Sequence, residues 1–421
     1  MYTPAIARET PNPLPECVEM TGPLFSSVEL APPDPILGLN EAFGADPRPD
    51  KINLGVGVYF GEDGKIPVLD SVRRAEADRL ANPVARGYQP IDGPAAYNRA
   101  VQDLLFGAGS DLAAGGRLVT AQSLGGTGAL SLGAALLKRI VPDARVLISD
   151  PSWENHRALF EAAGFPVAAY PYYDAATHGL DFDGMRATLR AAAPHTIVVL
   201  HACCHNPTGV DLTPEQWNEI IAILRERSCI PFLDLAYQGF ADGIEADSAV
   251  VRSFAASGMP CFIASSFSKS FSLYGERVGA LTIVTADADE SRRVLSQLKR
   301  VIRTNYSNPP THGAALVAAI LGNAELRARW EAELGGMRER IKAMRETLVT
   351  LLGQRLPGVD FSFVRTQRGM FSYSGLTAAQ VARLREEFAI YAVSTGRICI
   401  AALNRQNIEA VADAVAAVSK R

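Results

Sequence analysis

The chain has 421 residues, of which 48% are hydrophobic and 20% are charged, and its formal net charge is −4. This length favours two structural domains, and the interspersed charges exclude a basic stripe for nucleic acid or a polybasic membrane patch. No apolar run approaches the roughly 18 residues of a membrane span, and the first residues lack a secretory signal pattern, so we expect a cytoplasmic protein that acts on a small molecule or assembles with copies of itself.

The N-terminal stretch is rich in proline and has no hydrophobic period, so we predict an N-terminal extension, or arm, over residues 1–33. Residues 52–60, INLGVGVYF, alternate between apolar and other residues and predict a strand. A helix is expected near residues 71–80.

The middle of the chain alternates between short apolar runs and helical segments. LGGTGALSLGAALLKRI predicts a glycine turn that leads into an apolar helix, and strands are predicted in RVLISD, TIVVLHACCHNPTG, IPFLDLAYQGF, CFIASSFSKS and ALTIVTAD. This rhythm is typical of an α/β domain with a mainly parallel sheet flanked by helices.

Two helices carry clear local signals. Thr213 is a candidate N-cap, with Pro214 at the first helical position and Gln216 at the capping-box position. Later in the chain, apolar residues recur every three or four positions from Leu326 to Leu351, which predicts one long amphipathic helix that could connect two domains.

The six cysteines have no spacing typical of a disulfide framework, so we expect reduced thiols. In HACCH, His201 and His205 flank Cys203 and Cys204, which together could ligate a metal. Because neighbouring residues on a strand point to opposite faces, these two cysteines are not expected to share one ion. We therefore predict no metal site.

Polar side chains stand at the ends of the predicted strands, namely Asp150, Asn206, Asp234, Ser266 and Lys269. Ligands of parallel sheets bind beyond the carboxyl ends of the strands, so these side chains are expected to converge on a site. Each also has a purely structural interpretation: Asp150 as a turn residue, Asp234 as a helix cap and Lys269 as a surface lysine.

Seven motifs occur in order between about Asp34 and the C-terminus: GGTGA, DPSWENH, HNPTG, DLAYQGF, SSFSKSFSLYGERVG, RTNYSNPP and STGR. In this combination the chain resembles the fold-type-I, pyridoxal-phosphate-dependent aminotransferases of the aspartate and aromatic amino-acid branch. The resemblance implies a homodimer with shared active sites. It also implies a large cofactor-binding domain over residues 67–336 and a smaller α/β domain built from residues 34–66 and 337–421.

The resemblance assigns residue roles around the cofactor. Lys269 is implied as the amine that holds pyridoxal phosphate as a Schiff base and later moves protons, and Arg277 as the phosphate clamp. Asp234 is implied to pair with the pyridine nitrogen, supported by His156 and His201. The other implied cofactor contacts are Gly126, Thr127, Ser266 and Ser268 at the phosphate, Trp153 on the ring, Asn206 and Tyr237 at the phenolic oxygen, and Tyr88 from the neighbouring subunit.

Substrate binding is implied by the same comparison. Arg397 would hold the α-carboxylate, and Arg303 would reach a distal carboxylate in the neighbouring subunit's site, in the same segment as Ser307 and Asn308. Gly57, Trp153 and Asn206 are also implied as substrate-binding residues.

The expected reaction is ping-pong transamination between an aromatic amino acid, or aspartate, and 2-oxoglutarate through pyridoxamine phosphate. Phe60 and Ile66 are apolar where aspartate-preferring relatives commonly have lysine and threonine near the side-chain pocket, which favours aromatic substrates. Asn308 looks more like the aspartate type and Gly87 matches neither group, so an aspartate aminotransferase is the alternative. Rival classes are another pyridoxal-phosphate reaction such as a lyase, a nicotinamide-dependent oxidoreductase, and a non-catalytic regulator. GGTGAL lacks the nucleotide-binding spacing that the oxidoreductase would need. No segment is free to form the DNA-binding module that the regulator would need.

Overall fold

The computed structural model describes residue 23, residues 25–31 and residues 36–420. In this part of the chain the strands are β1 (Ile52–Asn53), β2 (Leu118–Leu124), β3 (Val146–Asp150), β4 (Val167–Pro171), β5 (Tyr173–Asp174), β6 (Gly179–Leu180), β7 (Ile197–His201), β8 (Ile230–Leu235), β9 (Cys261–Ser266), β10 (Val278–Val284), β11 (Phe371–Tyr373), β12 (Ile390–Tyr391) and β13 (Arg397–Cys399).

The helices of the same part are α1 (Leu37–Ala45), α2 (Asp70–Ala81), α3 (Ala95–Phe106), α4 (Asp111–Ala114), α5 (Gly125–Ile140), α6 (Glu154–Ala162), α7 (Phe182–Arg190), α8 (Pro214–Glu226), α9 (Ile244–Asp247), α10 (Ala249–Ala256), α11 (Ala288–Asn305), α12 (His312–Gly322), α13 (Ala324–Arg355), α14 (Phe363–Thr366), α15 (Ala378–Phe388) and α16 (Ile408–Ser419). Short 3₁₀ turns cover Tyr274–Glu276 and Ile400–Ala402. None of these helices is both long enough and apolar enough to cross a lipid bilayer.

A seven-stranded sheet organises the fold, in the order β2-β10-β9-β8-β7-β3-β4. The pairs from β9 through β8, β7 and β3 to β4 are parallel, whereas β10 runs antiparallel to both β2 and β9. The mainly parallel α/β sheet predicted from the sequence is therefore confirmed. The two edge strands, β2 and β4, were not among the predicted strands.

Both faces of this sheet are covered by apolar side chains. Strands β7 and β9 are buried at every residue. Along β7, Ile197 and Val199 belong to one core cluster, which includes residues of α5, and Val198 and Leu200 belong to a second cluster, which includes residues of α8 and α13. This alternation explains why the central strands read as continuous apolar runs in the sequence.

The strand predicted over residues 52–60 is wrong beyond its first two residues. β1 pairs in parallel with β12, but the Asn53 side-chain oxygen then accepts hydrogen bonds from the amides of Gly55 (3.0 Å) and Val56 (3.4 Å). An Asn side chain that bonds to its own backbone in this way turns the chain out of an extended ladder. The segment after Asn53 consequently runs toward Arg397, whose guanidinium donates to the carbonyl of Gly55.

The two helix predictions are confirmed. Thr213 and Gln216 form a reciprocal capping box in front of Pro214 at the start of α8. The long helix is α13, which has 32 residues and buries Trp330, Leu334, Met337, Ile341, Met344 and Leu348 along one stripe. The helix predicted near residues 71–80 is α2.

The predicted division into two domains remains a prediction, although all seven strands of the large sheet lie within residues 67–336. Most of the predicted N-terminal extension, including Cys17, lies outside the described residues. Its described residues 25–31 are exposed and belong to no helix or strand.

Candidate active site

The sheet topology brings several sequence-distant segments to one edge. Because β10 is antiparallel to β9 and β2, its first residue, Val278, pairs with Leu124, the last residue of β2. Gly279 pairs with Ser266, the last residue of β9, and Asp234 near the end of β8 pairs with His201 at the end of β7. The glycine turn of α5 and the residue before β10 thus lie beside the carboxyl ends of the parallel strands.

A cavity of about 270 Å³ opens at this edge. The predicted site residues that line it are Gly57, Gly126, Thr127, Trp153, His201, Asn206, Asp234, Tyr237, Ser266, Ser268, Lys269, Arg277 and Arg397. The structure therefore gathers most of the residues selected from the sequence around one space.

Lys269 lies at this cavity, partly buried, just beyond the end of β9. Its Nζ is 4.8 Å from the centroid of the Tyr237 ring. Burial lowers the pKa of its ammonium to about 8, with Arg277 and Arg397 adding to this effect and Asp234 opposing it. Lys269 therefore has a larger neutral fraction near neutral pH than a solvated lysine, as a nucleophilic amine requires.

One end of the cavity is a cradle of hydrogen-bond donors around Arg277. Its Nη1 donates to the Tyr274 carbonyl (2.9 Å) and to the Ser268 hydroxyl (3.3 Å). A Cβ on Gly125 would lie only 2.5 Å from Nη2 of Arg277, so glycine is required there for the guanidinium to approach. No side chain caps the N-terminus of α5, so the amides of Gly126 and the next residue are free to bind an anion.

The opposite wall holds a buried carboxylate supported by histidines. His156 Nε2 is 2.9 Å from an Asp234 oxygen, and its Nδ1 is 2.9 Å from the Ser152 hydroxyl. Burial by itself would raise the pKa of Asp234, but the hydrogen bond and charge of His156, with His201 and Lys269, lower it overall. Asp234 is therefore held as an anion, which favours a positively charged partner group.

His201 is buried at the same wall, and burial lowers its pKa well below the ordinary value, so its ring is neutral. Its Nε2 is buried and has no hydrogen-bond partner among the described residues. A buried nitrogen without a partner, on a residue that lines the cavity, is consistent with a ligand that completes the site.

Arg397 forms the third wall and is only 1% exposed. Its guanidinium donates to the Asn206 side-chain oxygen (3.0 Å) and to the Gly55 carbonyl (2.7 Å), and its Nε is unsatisfied. Within the described part of the chain it has no acidic ion-pair partner, so a structural salt bridge does not account for it. A buried cation with only neutral partners is suited to an incoming carboxylate.

Phe371, which the sequence analysis did not select, packs against the residues of this wall. Its ring lies 4.3 Å from the Arg397 guanidinium and packs edge-on against Tyr237 at 5.9 Å. A Cβ on Gly57 would lie 2.7 Å from the same ring, which explains glycine there. The buried Arg345 of α13 donates to the Phe371 carbonyl (2.9 Å) and thereby fixes the backbone that carries the ring.

Other lining residues were also missed by the sequence: Ile36, Leu130, Ala236 and Tyr274. Three of them are apolar and carry no chemical signal in a sequence. Tyr274 lies inside the SSFSKSFSLYGERVG motif, so its position three residues before Arg277 was the available clue.

Several predicted residues do not reach the cavity of their own chain. Asp150 is exposed and is not part of the lining, because it ends β3 two strands away from β8 and pairs with Pro171 at the edge strand β4. The expectation that Asp150 converges with the other strand ends is therefore wrong. Tyr88 is 95% exposed, and Arg303 is exposed, with its nearest partner the Ser307 hydroxyl.

The residues expected to set specificity also lie elsewhere. Phe60 lines a different cavity beside α1 and Asn404, and Ile66 is 45% exposed. Neither contributes to the active-site cavity of the chain that carries it, so their expected place near the side-chain pocket stays a prediction and would concern a neighbouring subunit's site. Gly87 and Asn308 are not among the lining residues either.

The argument that kept Cys203 and Cys204 apart is wrong as well. β7 ends at His201, so the cysteines follow the strand, and Cys204 has a left-handed backbone with φ of 52°. Their sulfur atoms lie within 4.8 Å of each other and of an Asp247 oxygen. The five described cysteines are all unpaired and buried.

The cavity fits pyridoxal phosphate on the chemistry of its donor set. The cradle of Arg277, Ser266, Ser268 and the α5 amides would hold a phosphate dianion, and the anionic Asp234 would face the ring nitrogen. Lys269 supplies the amine, and the unsatisfied nitrogen of His201 is consistent with a bound polar group.

Similarity to known proteins identifies the family. The model of the family "Aminotransferase class I and II" matches residues 49–415. The chain is 64% identical to an aspartate aminotransferase of Pseudomonas aeruginosa, covering 94% of this chain and 99% of the relative. It is 51% identical to the aromatic-amino-acid aminotransferase of Escherichia coli, covering 94% and 100%.

A solved structure is similar over the same extent. The aromatic-amino-acid aminotransferase of Burkholderia pseudomallei, covalently bound to pyridoxal phosphate, is 66% identical with a TM-score of 0.93, covering 95% of this chain and 100% of that one. Together with the family match and the fitted cavity, this similarity shows that the chain belongs to the class I and II aminotransferases and is a pyridoxal-phosphate-dependent enzyme.

Proposed function

We propose that this enzyme transfers the amino group between an aromatic amino acid, or aspartate, and 2-oxoglutarate in a ping-pong reaction. The observation that carries the proposal is Arg397, a buried guanidinium that lines the same cavity as Lys269 and has only neutral hydrogen-bond partners. The α-carboxylate that all these substrates share would complete its hydrogen bonds and orient the amino group and Cα–H toward the lysine.

Lys269 is proposed as the group that moves the proton. When bound, pyridoxal phosphate supplies the electron sink that makes proton removal from Cα feasible. The neutral amine of Lys269 would take the proton at Cα and would deliver it to the C4′ carbon of the cofactor. Its lowered pKa of about 8 supports this role. Proton transfer by a positioned side chain of this kind typically contributes about 10² to 10⁴ in rate.

The other site residues are proposed to hold and tune the cofactor. Asp234, kept anionic by His156, would hold the ring nitrogen in its protonated form. Asn206 and Tyr237 would donate to the phenolic oxygen, and Trp153 would pack on the ring. Gly126, Thr127, Ser266, Ser268 and Arg277 would bind the phosphate.

Aromatic substrates are supported by the apolar part of the cavity. Ile36, Leu130 and Phe371 line it, and apolar contact favours ring burial at about 25 cal/mol per Å². The E. coli and Burkholderia relatives are named aromatic-amino-acid aminotransferases. Aspartate aminotransferase remains the second candidate, because the Pseudomonas relative carries that name and Asn308 is of the aspartate type.

We also propose a homodimer in which each site uses two chains. Tyr88 and Arg303 are exposed and lie off the cavity of their own chain, which supports the expectation that they serve a neighbouring subunit. Leu80 and Val84, close to Tyr88 in sequence, are 84% and 73% exposed, and exposed apolar side chains of this kind favour a subunit contact. A cytoplasmic location remains a prediction.

Steady-state kinetics with tyrosine, phenylalanine and aspartate against 2-oxoglutarate test the substrate assignment. We expect the enzyme to turn over both the aromatic substrates and aspartate. A kcat/KM for the aromatic substrates more than about 100-fold below that for aspartate, a difference of about 2.8 kcal/mol, would favour an aspartate aminotransferase.

The role of Arg397 is tested by substitution. Arg397→Ala should lower kcat/KM for every amino acid by about 30-fold to 4,000-fold, the effect of removing one partner of a buried charge pair worth about 2 to 5 kcal/mol. The kcat/KM for tyramine, which lacks the carboxylate of tyrosine, should not fall in Arg397→Ala. Arg157→Ala, which removes a surface arginine paired with Glu161 on α6, is the control and should behave as the unsubstituted enzyme.

A further inference from the structure

Two thiols and a carboxylate meet behind the active-site wall, at residues that the proposed reaction does not use. The Sγ atoms of Cys203 and Cys204 and an oxygen of Asp247 all lie within 4.8 Å of one another. The three side chains are 6%, 2% and 5% exposed. Clusters of this kind are suited to binding soft metal ions, because thiolate sulfur and carboxylate oxygen are both ligands of Zn²⁺.

The local backbone holds the two sulfurs on one side. Successive side chains of a strand would point apart, but the left-handed conformation of Cys204, with φ of 52°, turns its side chain back toward Cys203. The Asp211 carboxylate fixes this turn, since its oxygens accept hydrogen bonds from the backbone amides of Cys204 and His205, each at 2.8 Å. The Asp247 carboxylate is fixed in turn by the amides of Gly239, Ala241 and Asp242.

A second cavity of about 710 Å³ gives access to this cluster. Cys203, Asp211 and Asp247 line it, and it shares no lining residue with the active-site cavity. An ion and a water molecule could therefore reach the Cys203 thiol and the Asp247 carboxylate without passing through the catalytic site.

The carboxylates around the cluster favour a cation, although the buried Arg345 also acts on Cys204. Asp247 is buried and Asp211 is partly buried, and within the described residues neither has a lysine or arginine ion-pair partner; Arg368, at the same cavity, pairs with Asp242. A cation bound here would offset the cost of keeping these acids charged.

We propose that Cys203, Cys204 and Asp247 bind a thiophilic divalent cation such as Zn²⁺ or Cd²⁺. Each thiol gives its proton to the solvent as its sulfur–metal bond forms, so binding releases two protons, and a water from the second cavity supplies the fourth ligand of a tetrahedral site. Metal–sulfur distances of about 2.3 Å for Zn²⁺ are compatible with sulfurs that already lie within a few ångströms of each other.

Titration of the holoenzyme with Cd²⁺ tests the site through the ultraviolet thiolate-to-cadmium charge-transfer absorbance. One ion per chain should bind with this absorbance, and Cys203→Ser should weaken binding by more than about tenfold, since even outer partners of metal ligands cost that much. Asp247→Asn should weaken binding while the thiolate absorbance persists at saturation. Cys261→Ser removes a buried cysteine on β9 outside the cluster and is the matched control, expected to bind as the unsubstituted enzyme does.

The competing outcome is binding elsewhere. His156, His201 and Asp234 also lie within 4.8 Å of one another but offer no thiolate. Cadmium that binds without thiolate absorbance, or absorbance that is unchanged in Cys203→Ser, would overturn the proposal. X-ray absorption at the zinc edge of the unsubstituted holoenzyme needs no variant: two sulfur ligands support the site, and a shell of only nitrogen and oxygen refutes it.

Discussion

Substitution of Gly125 by alanine tests whether the Arg277 cradle holds the cofactor phosphate. Gly125 has a positive φ of 70°, and an added Cβ would lie 2.5 Å from Nη2 and 3.0 Å from Cζ of Arg277. Ordinary carbon contacts are about 3.5 to 4.0 Å, so the guanidinium would have to move by about 1 Å. That movement takes it away from the Ser268 hydroxyl and the Tyr274 carbonyl, which now hold it in place.

The substitution has two separable costs. An alanine in the left-handed region destabilises the fold by about 1 to 2 kcal/mol, whatever surrounds it. The displaced guanidinium additionally weakens a charge-assisted hydrogen bond to the phosphate, which we place at about 1 to 2 kcal/mol because Arg277 is exposed to solvent. The dissociation constant of pyridoxal phosphate should therefore rise by about 5-fold to 30-fold.

Titration of the apoenzyme with pyridoxal phosphate, followed by the visible absorbance of the bound cofactor, measures this effect. Gly258→Ala is the matched control, because Gly258 has a φ of 81° and no atom within 4 Å of an added Cβ. Pyridoxal, which lacks the phosphate, should bind equally to all three proteins. Unchanged affinity of Gly125→Ala for pyridoxal phosphate, or an equal loss for pyridoxal, would refute the assigned role of the cradle.

Four further predictions concern catalysis and substrate choice. Capture of pyridoxal phosphate by the apoenzyme should accelerate as the pH rises and level off above about pH 8, because burial lowers the pKa of Lys269 to about 8 and only the neutral amine attacks. A capture rate that continues to rise toward pH 10 would contradict this. Lys269→Ala should lower kcat by at least about 10² to 10⁴. Hybrid dimers of Arg303→Ala and Lys269→Ala chains should regain part of the aspartate activity, since one site then carries both intact residues; hybrids shown to form without such recovery would argue against a shared site. Phe60 and Ile66 lie off the cavity of their own chain, so they would act on substrate only from a neighbouring subunit. The double variant Phe60→Lys/Ile66→Thr should then lower the ratio of kcat/KM for phenylalanine to that for aspartate by about tenfold or more, and an unchanged ratio would show that these residues do not set specificity.

The sequence was sufficient to predict the sheet and its functional edge because both depend on local patterns. Apolar runs that end in a polar residue, such as the one that ends near Asp234, mark buried parallel strands whose carboxyl ends must lie together. The motif around Lys269 then places an amine and the Arg277 guanidinium at that same edge. These residues do line one cavity, as the sequence predicted.

Contacts between distant segments were not predictable in the same way. The turn after Asn53 depends on one side-chain oxygen that bonds to two amides, and alternation in INLGVGVYF conceals it. Phe371 is one of many phenylalanines in the sequence, and only packing against Arg397 and Gly57 gives it a place in the site. The approach of Cys203 and Cys204 likewise depends on a single left-handed residue after a strand.

In the proposed reaction, the groups that act on every amino acid lie apart from those that would distinguish one side chain from another. Arg397 and Lys269 belong to the chain's own cavity and would contact only the α-carboxylate, the amine and Cα, which all amino acids share. Arg303, Phe60 and Ile66, which were expected to select the side chain, lie outside that cavity in a single chain. Substrate preference can therefore change by substitution at the periphery while the sheet edge stays the same. Such a separation would account for two relatives that each match 94% of this chain but are named for aspartate in one case and for aromatic amino acids in the other.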